Sequence, residues 1–312
     1  MSTKPIRGPS MRNPDFSSWV AGGRPSCAAL DAILGKTYSP LGDNMSCVVL
    51  ADYMGNETSI LRAARMSTGK EVMGQDENGC PTHPQDQRLL PRLLKDRHTS
   101  PFEVAQFSFI IQCPIFVARQ WMRHRTESYN EASGRYTILD VEFYTPEGHR
   151  LRFENEASRT PAQIESALDL IAAAYANQES TYDALIGLGV HREQARMVLG
   201  TALYTRMLVT VDLHNLMHFL TLRLAPDAQW EFQRYARVIW AMVAQMSPMC
   251  AAAVVNRIRT VHPEFYAGTI GPRVFMGGEA SFLESDATEF ARLTLKNSYI
   301  APPYRDPSTA QE

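Results

Sequence analysis

The sequence predicts an α+β domain dominated by helices. Helical apolar spacing recurs through most of the chain. Segments with strand patterning are interspersed among the helices, and they are few for a doubly wound sheet. The 312 residues are 45% hydrophobic and 21% charged, so a sizeable core is available to one large domain with extensions or to two small ones.

Taken in order, Met1 to Asn44 is rich in Pro, Gly and Ser and lacks the compact apolar segment of a secretory signal. Residues 1–45 therefore read as an N-terminal extension. Within it, Gly35-Lys36-Thr37 resembles the end of a phosphate loop. Leu30 stands where that loop needs a glycine, so a helix end and a turn are expected there. Residues 46–53 are apolar and β-branched, which predicts a buried strand. Residues 58–66 carry helical spacing, and the polar stretch 70–90 reads as a loop.

Pro101 opens a segment in which Phe107, Phe109 and Ile111 alternate, as in a half-buried strand. Pro114 fits the first position of a helix whose apolar stripe is Ile115, Ala118 and Met122. A glycine-containing loop and a strand from about Thr137 to Tyr144 should follow. Thr160-Pro161-Ala162-Gln163 matches a capping box. The long helix it opens should run to about Ile186, where Gly187 and Gly189 stop it. A short helix carries Arg196, and residues 203–211 alternate as a strand. Asp212 can cap the next helix. A last core helix covers about 227–246. Residues 259–312 read as a C-terminal extension.

The chemistry concentrates in Gln120 to Tyr136, where three arginines, a histidine and many hydroxyl or amide groups crowd one turn-and-loop region. Arginine presents a planar fork of donors suited to phosphate. Ser, Asn and Glu add directional bonds that could read a base or sugar, and Gly134 permits close backbone approach. On a helix, Gln120 and Arg123 share a face. Arg123 and Arg125 point about 200° apart, which suits two different ligands.

The helix after Asp212 places Leu213, Leu216, Met217, Leu220 and Leu224 on one core stripe. His214 and His218 lie on one flank and Arg223 on the other. A His-x-x-x-His pair can bind zinc. The metalloprotease pattern, however, needs glutamate where Asn215 stands, and no cysteine or carboxylate pair completes a metal set. No metal is expected.

The formal net charge of −2 gives no whole-chain bias towards nucleic acid or an anionic membrane. No stretch approaches the length needed to span a bilayer. The cysteines Cys27, Cys47, Cys80, Cys113 and Cys250 are odd in number and form no C-x-x-C pair. They read as reduced thiols of a cytoplasmic protein.

These residues resemble the flavin-dependent thymidylate synthases. That family's signature is Arg-His-Arg, seven residues, then Ser, and here Arg123-His124-Arg125 precedes Ser133 at that spacing. The extended form adds Ser128, Asn130, Glu131 and Arg135, and all four are present. His98 to Glu103 is similar to the family's His-x-Ser-Pro-Phe-Glu turn. Leu203 to Arg206, His218 to Leu220, Leu222-Arg223 and Ala228 to Glu231 are similar to its C-terminal half. The resemblance covers about residues 47–250, which sets a catalytic domain at 46–258.

The resemblance implies a helix-rich fold around a small, mainly antiparallel sheet. It implies methylation of dUMP to dTMP, with methylenetetrahydrofolate as carbon donor, NADPH as reductant and FAD as hydride carrier. It also implies a homotetramer with active sites shared between subunits. By position, Gln120, Arg123, Glu131, Ser133, Gly134, Arg135 and Arg196 match residues that hold dUMP. Ser100, Arg123, His124, Arg125 and Glu131 match residues that contact FAD, and Asp212, His214 and His218 fall at further flavin positions, where asparagine or arginine is more usual. Arg223 matches the arginine that favours ionised uracil and so acts both in dUMP binding and in catalysis.

The folate-only type of thymidylate synthase uses a cysteine thiolate on uracil C6. No cysteine lies in the signature here; the nearest is Cys113. Activation by Arg223 without a covalent cysteine is therefore expected. The rival readings are a nucleic-acid-binding module that uses the arginine-rich loop and a metal-dependent nucleotide hydrolase that uses His214 and His218. The first predicts steep loss of affinity with salt, and the second predicts loss of activity with chelator.

Overall fold

The computed structural model describes residues 26–136, 138–156 and 159–263. The remaining parts of the two expected extensions lie outside the described residues. Along the chain the elements are α1 (Ala28–Asp31), β1 (Thr37–Tyr38), β2 (Cys47–Met54), α2 (Glu57–Met66), α3 (Pro84–Gln87) and α4 (Leu89–Lys95). A 3-10 turn at Ser100–Val104 leads to β3 (Gln106–Pro114), α5 (Ile115–Trp121) and β4 (Ser128–Glu131). Then come α6 (Pro161–Gly187), α7 (Arg192–Ala195), β5 (Tyr204–Asp212), α8 (Leu213–Arg223), α9 (Trp230–Met246) and α10 (Pro248–Val261). The sheet has five strands in the order β1-β2-β3-β5-β4. The chain is thus the helix-rich α+β fold that the sequence predicts.

The sheet is antiparallel wherever register can be read. β1 pairs β2 through Thr37 with Val49 and Tyr38 with Val48. Along β3 and β5, Leu213 N donates to Ala105 O, Ser108 Oγ meets Thr210 Oγ1, Arg206 bonds Gln112, and Ile115 N donates to Leu203 O. The partner number falls as the residue number rises, which is the mark of antiparallel pairing. Alternation buries Phe107, Phe109 and Ile111 on β3 and Met207, Val209 and Val211 on β5.

The chain divides into two compact units, Met1–Ile110 with Thr210–Glu312, and Ile111–Val209, so the boundary falls within β3 and β5. In the first unit α9 is the core helix. Phe232, Tyr235, Ile239, Trp240 and Val243 are all buried, and Trp240 Nε1 donates to Ala251 O across to α10 at 3.1 Å. Residues 26–45 also pack in this unit: Leu30 and Tyr38 have no exposed surface. In the second unit α6 is exposed over most of its length, with Tyr182 its one buried residue.

Several local expectations hold. Thr160 forms a capping box with Gln163 before α6, and Asp212 caps α8 through Asn215 N at 2.9 Å. A capping box not singled out in the sequence, Asn56 with Ser59, starts α2. Gly189, at φ +82°, follows the end of α6. Others are corrected. The stretch 70–90 contains α3 and leads into α4, because His83 caps a helix with Pro84 at its start. Arg65 pairs with the buried Asp86, holding that segment in place. Pro114 is the last residue of β3 and caps α5 from outside, since its ψ of 145° is extended. No strand forms over 138–144. β4 takes the place beside β5 instead, and Phe143 makes only an isolated bridge to Leu203. The segment 248–261, for which the sequence predicts no element, is α10, started by Ser247 and Pro248.

One junction ties three elements together. Ser247 caps α10 by accepting from Cys250 N at 3.1 Å, and its hydroxyl donates to Glu57 Oε1 at the start of α2. Burial pushes the Glu57 carboxyl up, against the hydrogen bond from Ser247. Burial likewise raises the Cys80 and Cys250 thiols to about 12.

The folded state therefore holds the Glu57 proton more tightly than the unfolded chain does. This contribution is full below the unfolded carboxyl value of roughly 4.3 and is lost as pH rises through the folded value. Glu57→Gln should flatten the decline in urea midpoint as pH rises above the unfolded carboxyl value and leave the variant the more stable form once the folded carboxyl has ionised. An unchanged pH profile would acquit Glu57.

Candidate functional site

The site begins where α5 stops. Trp121 is the last helical residue, with Met122 as cap, so Arg123-His124-Arg125 lies in turns and not on a helix. The helical angle that separates Arg123 from Arg125 in sequence does not apply. The turn instead exposes both arginines and buries His124 between them.

A clamp gives the turn this form. Glu127 is buried, and Trp121 Nε1 donates to its Oε2 at 3.0 Å. The Tyr129 hydroxyl lies 2.7 Å from His124 O, 3.0 Å from Trp121 O and 3.0 Å from Glu127 Oε2. The Tyr129 hydroxyl is thus the donor for the carbonyls of the turn, one at a time, and Glu127 anchors the Trp121 indole beside it. Sequence reasoning missed both residues. Tyr129 lies inside the motif but shows no charge pattern. The Glu127–Trp121 pairing has no periodic signature.

The motif then becomes β4. Ala132 N donates to Arg206 O at 2.8 Å, and the Thr205 hydroxyl donates to Glu131 Oε1 at 2.7 Å. Arg206 in turn grips Gln112 Oε1 with Nε at 2.9 Å and Nη2 at 2.6 Å. Glu131 and Arg135 are exposed, Ser133 is half-buried and Gly134 is buried. Ser133 Oγ accepts from Arg135 N at 3.3 Å.

Arg196 joins these residues within the same unit. It is the first residue of the 3-10 turn that follows α7, and its Nε donates to Glu193 O at 3.3 Å. Arg135 Nε pairs with Glu193 Oε1 at 2.8 Å, and Arg192 Nε donates to Arg135 O at 3.1 Å. An open hollow of about 700 Å³ lies here, lined by His191, Glu193, Gln194, Arg196, Met197 and Leu199. Gly134 explains how the two segments approach. A Cβ at that position would stand 2.9 Å from Leu139 Cδ1 and 3.1 Å from Arg196 Cδ.

The other candidates fall in the first unit. Ser100 is exposed at the start of its 3-10 turn. Both Asp212 carboxylate oxygens are used, one by Asn215 N and one by Asn215 Nδ2 at 2.6 Å. His214 is half-buried and His218 exposed. Arg223, half-buried in the last turn of α8, has its guanidinium carbon 4.7 Å from the centroid of the Phe232 ring. Among the described residues no three His, Cys, Asp or Glu side chains converge as a metal set.

The geometry therefore offers exposed arginines on a rigid turn, a hydroxyl- and carboxylate-bearing strand, and a separate, partly desolvated arginine. Such groups suit a phosphate, a polar ring system and a developing negative charge, respectively.

Known proteins are similar to this chain across most of the described residues. The family described as thymidylate synthase complementing protein matches residues 49–249. A flavin-dependent thymidylate synthase of Thermus thermophilus is 47% identical over 208 residues, covering 66% of this chain and 74% of that one. The enzyme of the same name from Pseudothermotoga lettingae is 40% identical over 206 residues, covering 64% and 86%. Among solved structures, the UMP/dUMP methylase PolB from Streptomyces cacaoi, bound with 5-Br dUMP, aligns with a TM-score of 0.58 at 32% identity. It covers 67% of this chain and 94% of that one.

Gly134→Ala should weaken anion binding at Arg196 more than it unfolds the protein. The cost to stability is about 1–3 kcal/mol, as for overpacking elsewhere. Titration with inorganic phosphate beside a thermal melt separates the two effects. Tyr129→Phe should lower stability by about 1–3 kcal/mol through an unsatisfied carbonyl, measured by urea denaturation.

Proposed function

Because this chain belongs to the thymidylate synthase complementing protein family, the flavin-dependent thymidylate synthases, we propose that it methylates dUMP at uracil C5 to yield dTMP. It is a flavin-dependent methyltransferase. Methylenetetrahydrofolate supplies the carbon and NADPH the reducing equivalents. The observation that carries this reading is the clamped turn, which exposes Arg123 and Arg125 within a complete family signature.

The nucleotide is held by Gln120, Arg123, Glu131, Ser133, Gly134, Arg135, Arg196 and Arg223. The two arginines beside the hollow, Arg135 and Arg196, suit the phosphate, because their forks can bind two oxygens at once. Arg135 then exchanges Glu193 for the phosphate. Glu131, fixed by Thr205, offers an acceptor to ring or sugar donors.

FAD fits the remaining candidates in part. Ser100, Arg123 and Arg125 are exposed donors that suit its pyrophosphate. Buried His124 helps shape the turn. Asp212 is engaged as a helix cap, so a flavin contact there would have to loosen that cap. His214 and His218 offer imidazoles on the same helix. When bound, the flavin supplies the hydride that completes the methyl group.

Arg223 is the catalytic residue. A guanidinium stays charged and stabilises negative charge on the uracil ring, which enriches C5 as a nucleophile. A thiolate on C6 is then unnecessary. In keeping with this, Cys113 sits on β3 with no exposed surface. No disulfide joins the five cysteines among the described residues, and we assign the chain to the cytoplasm. No described helix is long and apolar enough to cross a membrane. The catalytic domain is assigned to residues 46–258, with 1–45 and 259–312 as extensions, and the assembly to a homotetramer with shared sites. Both assignments rest on the family resemblance.

Purified protein should show a flavin spectrum and release FAD on denaturation. With dUMP and methylenetetrahydrofolate under anaerobic conditions, the reduced flavin should be oxidised as dTMP forms. A colourless protein that cannot be reconstituted with FAD would sink this reading. Arg223→Ala should lower kcat by about 10²–10³. Cys113→Ala should turn over close to wild type; lost turnover with normal dUMP binding would make that thiol the nucleophile.

A further inference from the structure

We propose that Phe232 is a positioning residue for Arg223, the face of its ring holding the guanidinium where the uracil must meet it. The inference rests on the catalytic role given to Arg223 above.

Arg223 ends α8, and a long side chain at a helix end has many rotamers to lose. Its guanidinium carbon lies 4.7 Å from the Phe232 ring centroid, inside the range at which a cation is drawn to a ring face. The ring itself cannot wander. Phe232 has no exposed surface, and Phe219, one turn before Arg223 on α8, meets it edge-on at 5.6 Å and 67°. Phe219 and Arg223 thus flank the same ring from consecutive turns of one helix.

The next residue fixes the corner between the two helices. Gln233 Nε2 donates to Ala225 O at 2.8 Å and to Ala228 O at 3.0 Å, and the side chain is buried. Phe232 and Gln233 together set both the backbone that carries Arg223 and the surface on which its charge rests. The ring covers part of the guanidinium with electron-rich surface, which replaces water without neutralising the charge. The N–H groups directed away from the ring can meet a carbonyl oxygen or ring nitrogen. A leucine of similar bulk would fill the same space but would offer the cation nothing.

The test uses the full-length flavoprotein with phenylalanines bearing one, two or three ring fluorines at position 232. Fluorination strips electron density from the ring face with little change in shape. The kcat for dTMP formation should fall stepwise, by about tenfold in total, while flavin content and denaturation midpoint stay constant. Phe232→Leu should show the full loss. In an Arg223→Ala background the fluorines should leave the residual kcat and the dUMP affinity unchanged. A flat series, with Arg223→Ala strongly impaired, would overturn this inference alone. So would an equal decline in both backgrounds. Wild-type turnover by Arg223→Ala would overturn the catalytic role of Arg223 and this inference together.

Discussion

The antiparallel register of β3 against β5 is the constraint on which the site is built. Each strand ends where the other begins, and each passes directly into a helix. Ile115 N bonds Leu203 O as α5 starts, and Leu213 N bonds Ala105 O as α8 starts. A slip of one residue would turn Phe107, Phe109, Met207 and Val209 out of the core and would misplace both helix starts. The Arg206–Gln112 and Ser108–Thr210 contacts mark the same register with polar groups. The start of each of the two helices is therefore set by apolar alternation on the strand before it.

Local polar contacts finish what the strands begin. The Trp121–Glu127–Tyr129 cluster converts a helix end into a turn that offers two arginines to solvent. Asp212, by contrast, engages both carboxylate oxygens at the start of α8. One acidic residue stabilises a turn and the other a helix. Sequence position near a motif does not by itself make a carboxylate a binding group.

Much of the fold is legible in the sequence because it depends on period and capping. The alternation at Phe107, Phe109 and Ile111, the box at Thr160 and the cap at Asp212 are local signals, and each survives in the structure. Misreadings arise where longer-range pairing decides. Residues 138–144 have strand patterning, but β4 already occupies the place beside β5. The polar stretch before α4 has the composition of a loop, yet Arg65 and Asp86 tie it down. In the site, the arginines are legible from charge density and spacing. Their expected separation, however, assumes a helix that in fact ends two residues too soon. The clamp, the Glu193 partner of Arg135 and the ring beneath Arg223 are not legible, because each joins residues whose spacing carries no pattern.

The long helix α6 meets its surroundings mainly through polar groups on one side. Tyr175 donates to Tyr144 O at 2.8 Å, Gln178 accepts from Gly200 N at 2.5 Å, and Tyr182 accepts from Leu139 N at 3.0 Å. The helix thus works as a ruler, holding three loops at fixed marks. Substitutions on its outer side leave every mark in place. Loss of one residue between Tyr175 and Tyr182 turns all later marks by about 100° and shortens the ruler by about 1.5 Å. Divergent versions of this chain can therefore change the outer side of α6 freely but not its length between those two tyrosines.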